Sequence, residues 1–102
     1  MQRGEVWWAM MGMKTRPVVL VSRDSHIQTR RVIFAAPVTT RIRGMESEVA
    51  LGPEDGLQKA CVANASSIEL ISKTRIIRKI ATLSSAKRDA LDAALRFSLG
   101  LD

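Results

Sequence analysis

The feature that most constrains the fold is a series of short, β-branched-rich apolar runs, separated by turn residues and followed by one helical pattern. Runs of this length predict strands, and the apolar period of the last segment predicts a helix over about 85–99. Because no strand–helix alternation occurs, we predict a mainly β fold with a C-terminal helix. A small, strongly bent antiparallel sheet or partial barrel would form one domain over 1–102. The predicted strands are 4–9, 18–21, 32–38, 46–51, 60–63 and 76–81.

The charge of the chain points to a polyanionic partner. Sixteen lysines and arginines oppose ten acids, which gives a formal net charge of +6 at pH 7. An excess of this sign favours a nucleic acid, an anionic membrane or an acidic protein segment, although solvated charges that keep the protein in solution are the alternative. Between positions 14 and 43 the only acid is Asp24, and the basic residues there are Lys14, Arg16, Arg23, Arg30, Arg31, Arg41 and Arg43.

The chain carries no sign of export or membrane insertion. Its N-terminus lacks an apolar stretch of signal-peptide length, and no run approaches the length of a membrane span. Cys61 is the single cysteine, so no disulfide forms within the chain, and we interpret it as a small core residue. We therefore expect a cytoplasmic protein without a membrane partner.

Two strands should bring a cation and two hydroxyl groups to one end of the sheet. If the strand after Arg16 and the strand ending at Thr39 pair around a turn near 24–29, Arg16 lies roughly across from Pro37. Thr39 and Thr40 then lie about two residues away. Such a grouping suits a phosphodiester, and the alternatives are strand propensity for the threonines and a solvated charge for Arg16. Residues flanking the same end that are candidates for phosphate contacts are Lys14, Arg41 and Arg43.

Trp7 and Trp8 are adjacent in a predicted strand and therefore point to opposite faces. One should be a core residue. The other, for which we choose Trp7, is a candidate for stacking on a base, with burial in the core or in an interface as the alternative.

The last helix has two apolar stripes. Plotted at 100° per residue, one stripe includes Leu91 and Leu95, and a second beside it includes Phe97 and Leu101. A helix that lies on its own sheet needs only the first stripe. The second predicts a homodimer, unless Phe97 and Leu101 lie under a loop.

The titratable residues disfavour several kinds of nuclease site. His26 is the single histidine, so one chain cannot supply a two-histidine mechanism. The sequence has no cluster of histidines, cysteines and acids at metal-ligand spacing, and we predict neither a metal nor a cofactor. Cleavage of RNA through its own 2′-hydroxyl group remains open, because it needs charge stabilisation at the phosphoryl oxygens, and an arginine fork supplies that.

Several segments, in this order, resemble the MazF/PemK family of ribonuclease toxins. Arg3-Gly4-Glu5-Val6-Trp7 resembles the opening strand of the family. Segment 16–22 (RPVVLVS) resembles its Arg-Pro-aliphatic-Ser strand, and segment 37–40 (PVTT) resembles the end of its third strand. Segment 48–51 (EVAL) matches its fourth strand, and 63–68 lies where the family has a short polar helical turn. The chain has Ser66-Ser67 where many members carry an acid followed by an amide.

The resemblance implies an SH3-like β-barrel with a C-terminal helix, a homodimer, and metal-independent cleavage of single-stranded RNA at short motifs. It implies that Arg16 and Thr39 are catalytic, and it makes Ser66 and Ser67 candidates for RNA contacts. It also implies a cognate antitoxin whose acidic, flexible tail occupies the RNA groove. Two alternatives stay open: a gyrase poison of the same superfamily and a non-catalytic RNA-binding module. The gyrase poisons depend on a C-terminal tail that contains tryptophan, and residues 98–102 of this chain contain none.

Overall fold

The computed structural model describes residues 1–101, which form seven strands and two α-helices. The strands are β1 (Glu5–Met11), β2 (Lys14–Leu20), β3 (Val32–Thr39), β4 (Glu48–Leu51), β5 (Cys61–Asn64), β6 (Glu69–Ser72) and β7 (Ile76–Thr82). The helices are α1 (Asp24–Thr29) and α2 (Ser85–Leu99), and short 3-10 turns cover Pro53–Asp55, Ala65–Ser67 and Lys73–Arg75. The predicted mainly β fold with a C-terminal helix is confirmed.

All strand pairs are antiparallel, in the order β4-β5-β3-β2-β1-β7, with β6 added to β3. β3 pairs with β2 along one edge. Along the other edge, its first half (32–35) pairs with β6 and its last two residues (38–39) pair with β5. Hydrogen bonds between the strands of residues 1–101 do not close the sheet into a barrel.

The sheet is nevertheless strongly bent. In a flat sheet, β6 and β7 would be separated by four strand spacings, or about 19 Å. The chain from Ser72 to Ile76 reaches at most about 14 Å. The sheet must therefore curl so that β6 and β7 approach each other, which gives the barrel-like shape.

The curl separates two apolar cores. One lies between the sheet and α2 and includes Val19, Leu83 and Leu91. The other lies inside the curl and includes Leu20 and Ile33.

The start and the buried face of α2 are as predicted. The Ser84 hydroxyl oxygen accepts a hydrogen bond from the Lys87 N–H at 3.2 Å, which caps the helix. Leu91 and Ala94 are buried. Phe97 and Leu101 are 46% and 64% exposed, so they do not lie under a loop of the same chain.

Three local features differ from the prediction. The first two strands are longer than the predicted 4–9 and 18–21, since β1 extends to Met11 and β2 begins at Lys14, and only the two-residue turn Gly12–Met13 connects them. Gly12 has a φ of 64°, which this tight hairpin turn needs. The predicted turn over 24–29 is the helix α1, whose Ile27 is buried in the second core. The short strand β6 was not predicted.

The β2–β3 register also differs from the prediction by two residues. Pro37 lies opposite Val18 instead of Arg16. The amides of Val21 and Ser22 donate to the Phe34 carbonyl oxygen, and the Ser22 hydroxyl oxygen accepts from the Phe34 amide at 2.7 Å. These bonds fix the end of β2 beside Phe34.

Candidate RNA-binding and cleavage site

The corrected register brings the two predicted catalytic residues closer together. The β2–β3 ladder ends with Val18 opposite Pro37, and its continuation by two residues places Arg16 opposite Thr39. Arg16 also pairs with Ala9 of β1, whose side chain belongs to the second core. The Arg16 side chain therefore projects from the same face of the sheet as that core. Arg16 is exposed because the core ends at Val18.

Arg16 lines a groove of about 580 Å³ between the β1–β2 hairpin and β6, which we call the Arg16 groove. Arg75 also lines it, and Glu69 is its one acidic lining residue. None of the ion pairs among residues 1–101 involves Arg16 or Arg75. Two guanidinium groups without carboxylate partners are therefore available to an anion in this groove. The remaining lining residues are Met10, Met11, Gly12, Leu70, Ile71 and Ser72.

Thr39 is positioned by the chain that follows it. Its Oγ1 accepts a hydrogen bond from the Arg41 amide at 3.1 Å. A hydroxyl group that accepts from the backbone keeps its own hydrogen for donation. Thr39 can therefore donate to a phosphate oxygen.

Thr39 and Thr40 line a second depression, of about 270 Å³, which we call the Trp8 pocket. Trp8, Pro17 and Leu57 are among its other lining residues. Arg16 and Thr39 thus lie at neighbouring strand ends but line different depressions of the same subunit.

The predicted phosphate contacts lie on two segments near these strand ends. Arg41 and Arg43 are exposed in the loop after β3. The Glu48 carboxylate accepts hydrogen bonds from the amides of Arg43, Gly44 and Met45 at 2.9–3.3 Å, which orders this loop. Lys14 is exposed beside the hairpin turn and lies two residues before Arg16, on the same face of β2.

The two tryptophans point to opposite faces, as predicted, but Trp8 rather than Trp7 lies beside the threonines. Trp7 packs against the second core, and its indole Nε1–H donates to Glu5 Oε1 at 2.9 Å. Burial alone would raise the pKa of Glu5. Hydrogen bonds from Trp7 and from the Gln2 amide, together with the ammonium group of Lys79, outweigh burial and lower that pKa below its ordinary value.

Ser66 and Ser67 are exposed on the 3-10 turn after β5 and line neither depression. The Asn64 side chain caps this turn, because its Oδ1 accepts from the amide and the hydroxyl of Ser66 at 3.0 and 2.6 Å. Within one subunit, the structure therefore does not bring these two serines to Arg16.

Cys61 is buried, as predicted, and is one of the residues that line the Trp8 pocket. Burial and the nearby charges of Asp55 and Glu54 raise the pKa of its thiol. A thiol held protonated is a poor nucleophile, which fits a packing role. Among residues 1–101, no three histidines, cysteines or acids are grouped closely enough to hold a metal ion.

The sequence offered Arg75 only as part of an alternative groove with Lys73 and Lys79; it did not place Arg75 or Glu69 beside Arg16, and it chose Trp7 rather than Trp8 as the exposed ring. Glu69 begins β6 and Arg75 ends the 3-10 turn after it. Both line the Arg16 groove because the bend of the sheet brings these segments toward the β1–β2 hairpin. Strand alternation gave the signal that one tryptophan faces away from the core, but it did not identify which one.

Comparison with known proteins matches these observations. A family described as PemK-like, MazF-like toxin of type II toxin–antitoxin system matches residues 2–99. The chain is 37% identical, over 99 residues, to the probable endoribonuclease MazF5 of Mycobacterium tuberculosis; the match covers 95% of this chain and 91% of the relative.

Solved structures agree in fold. The toxin MazF-mt6 of Mycobacterium tuberculosis superposes with a TM-score of 0.90 at 26% identity, covering 96% of this chain and 98% of that one. An endoribonuclease solved in complex with its cognate antitoxin, from a mycobacterial species, has a TM-score of 0.91 at 28% identity, covering 100% and 97%. No helix within residues 1–101 has the length and apolar character that crossing a membrane requires.

Proposed function

The chain belongs to the PemK-like, MazF-like toxins of type II toxin–antitoxin systems, and we propose that it is an endoribonuclease that cleaves single-stranded RNA. The observation that carries this proposal is the β2–β3 register, which pairs Val18 with Pro37 and, if continued by two residues, would set Arg16 opposite Thr39. The names of relatives support it, since MazF5 is called a probable endoribonuclease. In this proposal, residues 1–102 form a single toxin domain that acts in the cytoplasm.

The reaction that suits these side chains uses the 2′-hydroxyl group of the RNA as the nucleophile. Its oxygen bonds to phosphorus as the bond from phosphorus to the 5′-oxygen breaks, which leaves a 2′,3′-cyclic phosphate and a 5′-hydroxyl group. The 2′-oxygen loses a proton and the 5′-oxygen gains one. No metal takes part in this route.

Arg16 stabilises the negative charge that develops on the phosphoryl oxygens, because its planar fork offers several donors in a fixed geometry. The following proline helps to fix Arg16, since the residue before a proline is held in an extended conformation. Thr39 donates its free hydroxyl hydrogen to another phosphoryl oxygen. Lys14, Arg41 and Arg43 hold neighbouring phosphates, and Trp8, which lines the pocket beside Thr39 and Thr40, offers a ring for a base.

A homodimer completes the proposed assembly, with the RNA groove running across both subunits. Exposed apolar side chains support it on two surfaces, Phe97 and Leu101 at the end of α2, and Phe34 and Leu70 as a cross-strand pair on β3 and β6. These four side chains are 44–64% exposed. Sedimentation at micromolar concentration should give twice the mass of an 11.3 kDa chain.

The second proposed partner is a cognate antitoxin with an acidic, flexible tail. The net charge of +6 and the unpaired cations of the Arg16 groove support such a partner. The tail would occupy the RNA groove and block it. The structure of a relative with its cognate antitoxin is consistent with this pairing.

The function is tested by incubating the purified wild-type protein with a labelled single-stranded RNA in the presence of EDTA. We expect cleavage at a small number of positions, and no cleavage by Arg16→Ala. RNA that binds but stays intact with both proteins would instead support a binding module. Inhibition of DNA supercoiling by gyrase, without RNA cleavage, would support a gyrase poison.

A further inference from the structure

A second groove, of about 510 Å³, lies between the end of α1 and the 3-10 turn before β7. We call it the distal groove; it is lined by 28–31 and 72–74. Every lining side chain is polar or charged, and none is acidic. The three cations are Arg30, Arg31 and Lys73, and none of them takes part in the ion pairs found among residues 1–101.

Backbone contacts hold the segments of this groove together. The Lys73 amide donates to the Arg31 carbonyl oxygen at 2.8 Å, which ties the 3-10 turn to the start of β3. The Lys73 ammonium group donates to the Ile27 carbonyl oxygen, which ties the same turn to α1. The Arg30 amide donates to the His26 carbonyl oxygen at the end of α1. Arg30 and Arg31 therefore extend from a fixed backbone.

The distal groove adjoins the Arg16 groove. Ser72 lines both, and Arg75 of the Arg16 groove follows Thr74 of the distal groove by one residue. The Ser72 and Thr74 hydroxyl oxygens lie 2.9 Å apart, so one of the two hydroxyl hydrogens is free for another acceptor. Across the two grooves, five cations oppose one acid, Glu69.

We propose that the distal groove binds the RNA strand on one side of the cleaved phosphodiester and holds its phosphates without reading its bases. Guanidinium and hydroxyl donors on a fixed backbone are the groups that position a nucleic-acid backbone. A protein segment is usually anchored by apolar side chains in pockets, and this groove has no apolar lining side chain. The inference rests on the proposed function, since it places a second part of the same substrate.

The proposal predicts that affinity depends on RNA length on one flank only. Three RNAs share the same cut sequence: a short one, one extended on its 5′ side and one extended on its 3′ side by about six nucleotides, within the site sizes of small single-strand binders. A 2′-deoxy sugar at the cut keeps them intact. One extension, and not the other, should increase the affinity of the wild-type protein.

The variant for this test is Arg30→Gln/Arg31→Gln, because replacing Lys73 would also remove its bond to α1. For the effective extension, the slope of log affinity against log salt should fall by about 0.7 for each phosphate that the variant no longer neutralises. For each lost phosphate contact, a tenfold rise in salt concentration should therefore weaken binding by the variant about fivefold less than it weakens binding by the wild-type protein. The short RNA should show a much smaller change. Arg96→Gln is the matched control, since Arg96 is exposed on α2 and lines neither groove, and it should keep the wild-type slope.

Three results would overturn the inference: equal slope changes for the short and extended RNAs, a similar change in Arg96→Gln, or weaker binding of an acidic antitoxin peptide with RNA binding unchanged. The last result would assign the groove to the antitoxin. Failure of the proposed function is a separate observation, namely that the wild-type protein leaves an unmodified short RNA intact.

Discussion

The indole N–H of Trp7 donates to Glu5 Oε1 at 2.9 Å, while Glu5 Oε2 pairs with the Lys79 ammonium group at 3.1 Å. Glu5 is 7% exposed, so one buried carboxylate joins the ring of Trp7 to the cation of β7. These contacts lower the pKa of Glu5, and they have a consequence for stability in acid.

We expect Glu5 to contribute stability that is present above the pKa of an unfolded glutamate, about 4.3, and is lost as the pH falls through the lower pKa of the folded state. Glu5→Gln should cost about 1–3 kcal/mol at pH 7, because a buried hydrogen-bonded charge is removed. Urea unfolding of both proteins from pH 7 to pH 3 measures this. The difference between them should shrink as the pH falls; a constant difference would contradict the assignment.

Trp8 and Trp7 should differ in what they contribute to RNA binding. Trp8→Leu should weaken binding of single-stranded RNA by about 1–3 kcal/mol, because it removes a stacking surface beside Thr39 and Thr40. Trp7→Leu should mainly lower the free energy of unfolding, since it removes the bond to Glu5 and core packing. Fluorescence anisotropy and urea unfolding separate the two effects. The reverse pattern would restore Trp7 as the stacking residue.

Arg16→Ala should lower the rate of RNA cleavage by at least about 10²–10³-fold, the loss typical of removing one donor to a developing oxyanion. Its side chain is exposed and makes no ion pair among residues 1–101, so the free energy of unfolding should change by no more than about 0.5 kcal/mol. Single-turnover kinetics should place the loss in the chemical step rather than in binding. Arg16→Lys keeps the charge but not the fork, and should stay strongly impaired. Near-wild-type cleavage by Arg16→Ala would remove Arg16 from the mechanism.

Thr39→Val should reduce the single-turnover rate by about 10²-fold, because the side chain keeps its shape but loses the hydroxyl group, both the hydrogen it donates and the Oγ1 that accepts from the Arg41 amide. Thr39→Ser should restore most of the rate. Both variants are compared on the same RNA under saturating protein. If valine and serine have equal effects, the hydroxyl group of Thr39 has no role in the reaction.

Local patterns predicted the parts of the fold that depend on neighbouring residues. α2 was predicted over its whole length because both signals for it, the cap at Ser84 and the helical spacing of apolar residues, lie within one continuous segment of the sequence. The segment Glu69–Ser72 gave no such signal, since four residues with two exposed side chains match no period, and pairing with β3 makes it a strand. The β2–β3 register was wrong because α1 takes up residues that a simple turn would leave to the strands.

The candidate site divides in the same way. Arg16 and Thr39 could be proposed from the sequence because each lies near the end of a recognisable strand, Arg16 two residues into β2 and Thr39 at the last residue of β3. The position of Arg75 in the same groove could not be predicted, because it depends on the bend of the whole sheet. Ser66 and Ser67 were chosen from a family position; within one subunit they lie on a turn that Asn64 caps, and they line neither the Arg16 groove nor the Trp8 pocket.

Cleavage through the 2′-hydroxyl group is tested by replacing a single 2′-hydroxyl group with hydrogen at the mapped cut site, with EDTA present throughout. The protein should cleave the unmodified RNA and leave a 5′-hydroxyl end and a 2′,3′-cyclic or 3′-phosphate end. It should bind the substituted RNA with similar affinity and leave it intact. Cleavage of the substituted RNA, a 5′-phosphate product, or activity only after magnesium is added would contradict cleavage through the 2′-hydroxyl group by Arg16 and Thr39.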